Sequence, residues 1–213
     1  NSILFDSGTL IIENPGQELL SSKLDIKWDE RTKQWRFMAN SYRKIVEFFT
    51  ENSISFTDHA RKYQKLNLEI SKTTVPREHQ KEALSAWVDA GFEGTVCIPT
   101  GGGKTILAVF AIRHVNRSSL ILVPTIDLMH QWYEVLGDHF NTKVGLLGGG
   151  YKEIHDLTVS TYDSAHLHMD NLGEKFALLI FDECHHLPGE QYQKIAFSSI
   201  APFKLGLSAT VER

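Results

Sequence analysis

Residues 71–213 predict a doubly wound α/β fold on a parallel sheet, and residues 1–70 a small α+β module in front of it. Three observations predict this. Short, near-continuous apolar runs recur in the second part, at 95–99, 120–124, 144–147, 157–161, 176–181 and 205–207, as strands covered on both faces do. Amphipathic stretches that start at Gly103 and cover 126–140 and 191–199 alternate with them, which is the β-α repetition of a parallel sheet. The first part has another texture. It reads as a strand over 9–12, two runs at 23–28 and 34–38 across the polar turn 29–33, a helix over 42–51 and a short strand at 54–56. The boundary falls in the polar segment 67–74, just before Val75-Pro76.

Composition narrows the class before any motif is considered. At 42% hydrophobic and 23% charged residues the chain has the make-up of a folded protein in water, which excludes disorder. No apolar run approaches the roughly 20 residues needed to cross a bilayer, so no membrane role is expected. The chain starts at Asn1, which leaves targeting unreadable. Cys97 and Cys184 lie in apolar runs that read as buried strands or strand ends. That suits a reduced intracellular protein, in cytoplasm or nucleoid for a prokaryote and nucleus for a eukaryote. The net charge is -4, with ten basic and ten acidic residues in the first 70 and twelve against sixteen in the remainder. Any contact with nucleic acid must therefore be local, made by loop backbone and a few side chains.

Doubly wound sheets bind ligands at the carboxyl ends of their strands. There the sequence places Thr100, Gly101, Gly102, Gly103, Lys104 and Thr105 between a strand and a helix start. The glycines let the backbone curl with N–H groups turned toward an anion, and the helix N-terminus adds its dipole. Lys104 then reaches the β and γ phosphates of a nucleotide such as ATP, and the Thr105 hydroxyl ligates Mg²⁺. The strict pattern G-x-x-x-x-G-K-[ST] is not met, because its first glycine falls on Ile98. The variant Pro-Thr-Gly-x-Gly-Lys-Thr is met instead, the form seen in nucleic-acid motors.

A phosphate loop needs a metal ligand and a group that orients water, and the run 176–181 is followed by Asp182-Glu183-Cys184-His185-His186. Asp182 is expected to hold Mg²⁺ and Glu183 to orient or deprotonate the attacking water. Two acids after an apolar strand also suit a helix N-cap, and it is the pairing with the phosphate loop that favours catalysis. Leu128, Trp132, Val135 and Leu136 have helical spacing and read as core. His166 and His168 read as exposed residues of a polar loop.

With both motifs in hand, the chain from Val75 onward resembles the first RecA-like domain of a superfamily-two helicase of the DExH kind. Pro76-Arg77-Glu78-His79-Gln80 resembles the Q motif, which implies that Gln80, with Arg77 beside it, reads adenine through its amide donor and acceptor. Val123-Pro124-Thr125 through Gln131-Trp132 resembles motif Ia, and Ser160-Thr161-Tyr162-Asp163-Ser164 resembles motif Ic. The resemblance implies backbone contacts to nucleic acid at Pro124, Thr125, Thr161 and Tyr162. Gly149, in Gly148-Gly149-Gly150, could serve as the glycine of motif Ib or sit in a plain turn. Gly206-Leu207-Ser208-Ala209-Thr210 resembles motif III, which implies that Ser208, Ala209 and Thr210 couple hydrolysis to movement through the DExH histidine. Asp-Glu-x-His lands on His185, and His186 stands beside it as the alternative.

Within that superfamily the long runs Thr158 to Ala165, Leu179 to Pro188 and Ser199 to Leu207 resemble the XPB family of DNA repair and transcription motors, in its archaeal-type form. Cys184 stands where that family is expected to carry valine. The resemblance implies a damage-recognition module over residues 1–70, where Arg31, Lys33 and Arg36, flanked by Trp28 and Trp35, suit a duplex-contacting hairpin. The alternative is a cross-strand tryptophan core pair with a solvated turn. Partners implied are duplex or forked DNA, a second RecA-like domain, and a repair nuclease or transcription and repair complex subunits. The family's Arg-Glu-Asp element after motif III is at most begun at Arg213. Without the arginines of a second domain, weak nucleotide binding and little turnover are expected. Other readings are an RNA-dependent or restriction-type motor, and a damaged-DNA-binding module with a vestigial ATP site.

Overall fold

The computed structural model describes residues 1–70, 74–186 and 190–210, with the backbone alone at 186 and 190–192. Seven strands form one sheet: β6 (Glu93–Cys97), β7 (Ser119–Val123), β8 (Val144–Gly148), β9 (Tyr151–Glu153), β10 (Leu157–Thr161), β11 (Leu178–Asp182) and β12 (Phe203–Ser208). Five further strands precede them within the first 70 residues. The order is β6-β12-β11-β7-β10-β8-β9, and every pair is parallel except the antiparallel β8–β9 edge. Every residue of β7, β10 and β11 is buried, which is why these strands read as unbroken apolar runs.

Alternate strand residues feed two cores. Ile121, Val123, Ile180, Leu205 and Leu207 pack beneath helices α3 (Glu78–Asp89), α4 (Lys104–Val115) and α5 (Ile126–His139). Leu120, Leu122, Leu179 and Phe181 pack on the opposite face against α6 (Tyr162–Leu172) and α7 (Glu190–Phe197). The carboxyl ends of β6, β7, β10, β11 and β12 therefore open on one edge, where the phosphate loop and the acidic pair were expected.

Residues 1–70 form a second sheet of order β3-β4-β2-β1-β5, from β1 (Ser2–Asp6), β2 (Thr9–Glu13), β3 (Lys27–Asp29), β4 (Gln34–Met38) and β5 (Thr57–Asp58). A short helix, α1 (Gln17–Leu20), follows β2, and α2 (Tyr42–Glu51) packs Tyr42, Ile45 and Phe49 into this module's core.

Several expectations need correction. β1 was not expected, although Ser7 and Gly8, both at positive φ, make the two-residue hairpin turn that joins it to β2. Pairing of the next hairpin starts at Lys27 rather than at 23, and the strand expected at 54–56 lies at Thr57–Asp58, parallel to Ser2 and Ile3. His166 and His168 sit half-buried on α6, not exposed in a loop. Cys97 is exposed at the end of the edge strand β6, and Cys184, in the turn after β11, is half-buried. Among the described residues, no helix is long and apolar enough to cross a membrane.

Candidate active site at the carboxyl ends of the strands

Beyond β6 the chain turns through Ile98, whose side chain is buried, and Gly102 N donates to Pro99 O at 2.9 Å. Gly101 and Gly103 hold φ of 79° and 91°, left-handed values that a side chain resists. A Cβ on Gly102 would strike Ile98 and the Pro99 carbonyl, and one on Gly103 would strike the Gln80 amide, while the outer side of Gly101 is open. Gly103 caps α4 without a side chain, so the first-turn N–H groups face the concavity with the helix dipole behind them. Thr100 is exposed at the loop tip, and Lys104 and Thr105 are half-buried in the first helical turn.

The loop is held from behind by α3. Gln80 is buried; its Oε1 accepts from Arg77 N at 2.8 Å, and its Nε2 donates to Gly103 O at 3.0 Å. A His79 ring nitrogen meets Gly102 O at 3.0 Å. Two loop carbonyls are thereby turned away from the anion side. Both ends of the Gln80 amide are engaged by backbone, so its observed role is to fix the loop, and the Arg77 side chain is exposed beside it. His79 lay inside the segment that pointed to Gln80 but was not singled out.

The acidic pair ends β11. Asp182 is 6% exposed, and its Oδ2 accepts from the Trp132 indole Nε1 at 2.7 Å. Its backbone carbonyl accepts from the Tyr162 hydroxyl at 2.8 Å. Burial pushes its carboxyl above the usual carboxylate range, with the Trp132 bond and Lys104 pulling the other way. Glu183 takes a left-handed φ of 51°, a strained value of the kind that clusters at working sites. That turn aims its side chain at the loop, and Lys104 Nζ sits 2.6 Å from Glu183 Oε1. The other oxygen, Oε2, is buried and accepts no hydrogen bond among the described residues, with His185 Nδ1 3.4 Å away.

Ser208, at the end of β12, meets His185. Its Oγ donates to Thr210 O at 2.6 Å and lies 3.0 Å from His185 Nδ1, so it accepts from the Nδ1–H tautomer. His185 Nδ1 thus lies between Ser208 Oγ and Glu183 Oε2, and the His186 side chain lies outside the described residues.

The remaining predicted residues fall into two groups. Thr125 caps α5 by accepting from Leu128 N, and Thr161 caps α6 by accepting from Ser164 N. Thr161 pairs in register with Val123, so Pro124, Thr125 and Thr161 share the strand-end edge, and Gly149 packs against Ile126 next to them. Tyr162 belongs to this edge by its backbone, but its ring is buried. Arg31 and Lys33 lie at the exposed tip of the β3–β4 hairpin, with Lys33 paired to Glu30. Arg36 does not share this exposure: its guanidinium is bound by Asp6, Asp29, Gln34 and Thr9. Trp28 and Trp35 do pair across the strands, with centroids 5.2 Å apart, yet Trp28 is 42% exposed, so the pair lies on the surface rather than in the core.

A glycine cradle on a helix N-terminus, faced by a carboxylate pair with a histidine reaching the next strand, defines the RecA-like domain of a superfamily-two nucleic-acid motor. Comparison with known proteins carries this further. Residues 73–213 match the family described as "Type III restriction enzyme, res subunit", and residues 3–60 match the "Xeroderma pigmentosum group B helicase damage recognition domain". The chain is similar to the DNA 3'-5' translocase XPB2 of Sulfurisphaera tokodaii, 38% identical over 189 residues that span 88% of this chain and 42% of that protein. It is also similar to the general transcription and DNA repair factor IIH helicase/translocase subunit XPB of Schizosaccharomyces pombe. That likeness is 25% over 169 residues, 70% of this chain and 21% of the relative. In fold it is similar to the UvsW helicase of bacteriophage T4, with a TM-score of 0.59 at 18% identity over 98% of this chain and 92% of that one. The chain belongs to the res-subunit family of helicases, and residues 3–60 ahead of that match carry the XPB damage recognition domain match. It spans less than half the length of the curated relatives it matches.

Proposed function

We propose that this chain is the ATP-binding first lobe of an intracellular DNA-dependent translocase or helicase of the XPB type, with residues 1–70 as a DNA-facing module and 71–213 as the motor domain. The observation that carries the reading is the Lys104–Glu183 pair set between an open glycine cradle and the buried Asp182. The residues fit Mg²⁺ and ATP. The cradle leaves room for a phosphate, Thr105 and Asp182 offer hard oxygen ligands, and the orphaned Glu183 Oε2 is placed to accept from a water. Bound Mg²⁺ neutralises phosphate charge. Lys104 exchanges its Glu183 partner for a phosphate, which frees Glu183 to orient the attacking water. His185 and Ser208 then report the state of Glu183 to β12 and the segment beyond it.

Nucleic acid is engaged by Pro124, Thr125, Gly149, Thr161 and the backbone at Tyr162, with Arg31 and Lys33 on the first module. Transition-state charge on the γ-phosphate calls for cationic groups from a second RecA-like lobe. Repair nucleases or subunits of a transcription and repair complex are further partners of the whole protein. The test is titration of the chain with Mg·ATP, together with ATPase assays of a protein carrying both lobes on duplex DNA, single strands and RNA. Weak binding that Lys104→Ala abolishes, and stimulation by duplex DNA, are expected. Stimulation by RNA alone would replace this reading with an RNA motor. ATPase activity of the two-lobed protein that survives Lys104→Ala would favour the vestigial-site reading instead.

A further inference from the structure

Asp182 is held from both faces of the sheet. Trp132 comes from α5, on the face that carries α3 and α4, while Tyr162 comes from the first turn of α6 on the opposite face. The indole is a donor only, and at 2.7 Å it makes a charge-assisted bond to Oδ2. The tyrosine hydroxyl fixes the carbonyl of the same residue at 2.8 Å, with its ring stacked on Phe181. Trp132 is 1% exposed and Tyr162 3%, so bulk water does not reach either side chain to replace its bond. These two helices are also the ones whose N-terminal ends, capped by Thr125 and Thr161, lie side by side on the edge assigned above to nucleic acid. A helix moves as a stiff unit, so displacing either one along its axis must carry Asp182 with it or break a buried bond.

We propose that Trp132 and Tyr162 are positioning residues that transmit nucleic-acid contact on α5 and α6 to the metal-binding carboxylate of Asp182. This rests on the function proposed above. Contact on one strand-end edge thereby sets the affinity of the neighbouring Mg·nucleotide site, and linkage makes the effect reciprocal. The path is separate from the His185–Ser208 contact, which lies on the other side of Glu183 and leads to β12.

The experiment measures binding of a fluorescent Mg·ATP analogue to the chain, with and without a saturating duplex oligonucleotide, and reads the ratio of the two affinities. A uniform change in either separate affinity leaves that ratio untouched, so a merely structural role for the side chains does not move it. The wild-type ratio is expected to be about fivefold or more. It should fall to within about twofold of unity in Tyr162→Phe, which removes one hydroxyl and keeps the ring, and in Trp132→Phe. Leaving out Mg²⁺ should abolish it in the wild type. As a second readout, the Trp132 indole proton resonance, assigned by its loss in Trp132→Phe, should shift when oligonucleotide is added without nucleotide. A wild-type ratio kept in both variants, or an indole resonance that stays fixed, overturns the inference. A wild-type chain that binds both ligands without coupling overturns it and leaves the proposed function standing. Binding of neither ligand overturns both.

Discussion

Glu183 occupies two roles that compete. Its left-handed backbone places one oxygen on Lys104 at 2.6 Å and leaves the other buried without a hydrogen bond among the described residues. Without nucleotide, the carboxylate neutralises the lysine that a phosphate would need, so binding has to break a half-buried ion pair before it gains a new one. Glu183→Gln keeps a hydrogen-bonding side chain but removes the charge that holds Lys104. Nucleotide affinity of the variant is expected to rise several-fold, because the lysine is no longer shared. Turnover of a protein carrying both lobes is expected to fall by about a hundredfold or more, since the amide cannot act as a base. Titration and steady-state ATPase rates separate the two effects. An unchanged affinity would mean that the Lys104–Glu183 contact does not compete with phosphate.

At the scale of elements, α2 is tied to the strand next to the chain start by its first residue. The Tyr42 hydroxyl donates to Asp58 Oδ2 of β5 at 2.6 Å, and burial followed by this bond pushes the Tyr42 pKa far above its ordinary value of 10. Tyr63 is raised as well, chiefly by burial. The unfolded chain loses these protons near pH 10 and the folded chain keeps them, so the stability they contribute is complete below pH 10 and falls as pH rises beyond it. The slope is about 1.4 kcal/mol per pH unit for each group. Tyr42→Phe is expected to cost about 1 kcal/mol at neutral pH and to flatten that alkaline limb, as denaturant melts between pH 8 and 11 would read. An alkaline limb of unchanged slope would assign it to other groups.

The same scale shows what could be read from sequence. Helix 42–51 and strand 157–161 were legible because their apolar spacing is clean and their ends are abrupt. α6 was missed although Tyr162, Ala165, Met169 and Leu172 keep helical spacing, because Leu167 breaks the polar face and is 74% exposed. β9 has no buried residue and so carried no pattern at all. In the site, Lys104, Asp182 and Glu183 followed from local motifs. The Trp132–Asp182 bond joins residues 50 positions apart, and spacing alone marked Trp132 as core.

For the whole molecule, the question is whether the first 70 residues move independently of the motor domain, and the packing indicates that they do not. Ile200, which follows α7 and precedes β12, is 1% exposed, and it lies in the core of the first module with Ile3, Leu10, Ile12 and Phe49. The connecting segment is zippered to the turn before β7: Leu66 N donates to Asn116 O, Leu68 N to Asn116 Oδ1 and Ser118 N to Gln64 O. Arg43 of α2 donates to Gly91 O at 2.6 Å, and Gly8 leaves no room for a Cβ against Asp170 and Ser198. A module fixed at so many points travels with the motor lobe, so the exposed Arg31 and Lys33 keep a constant offset from the strand-end edge. Ile200→Ala empties a site in the first module while changing a residue of the second. It is expected to cost about 2–5 kcal/mol and to lower one shared thermal transition, read identically by far-ultraviolet circular dichroism and by the fluorescence of the tryptophans, Trp28 and Trp35 in the first part and Trp87 and Trp132 in the second. Two separated transitions, only one of them shifted by the substitution, would mean that the module folds and turns on its own.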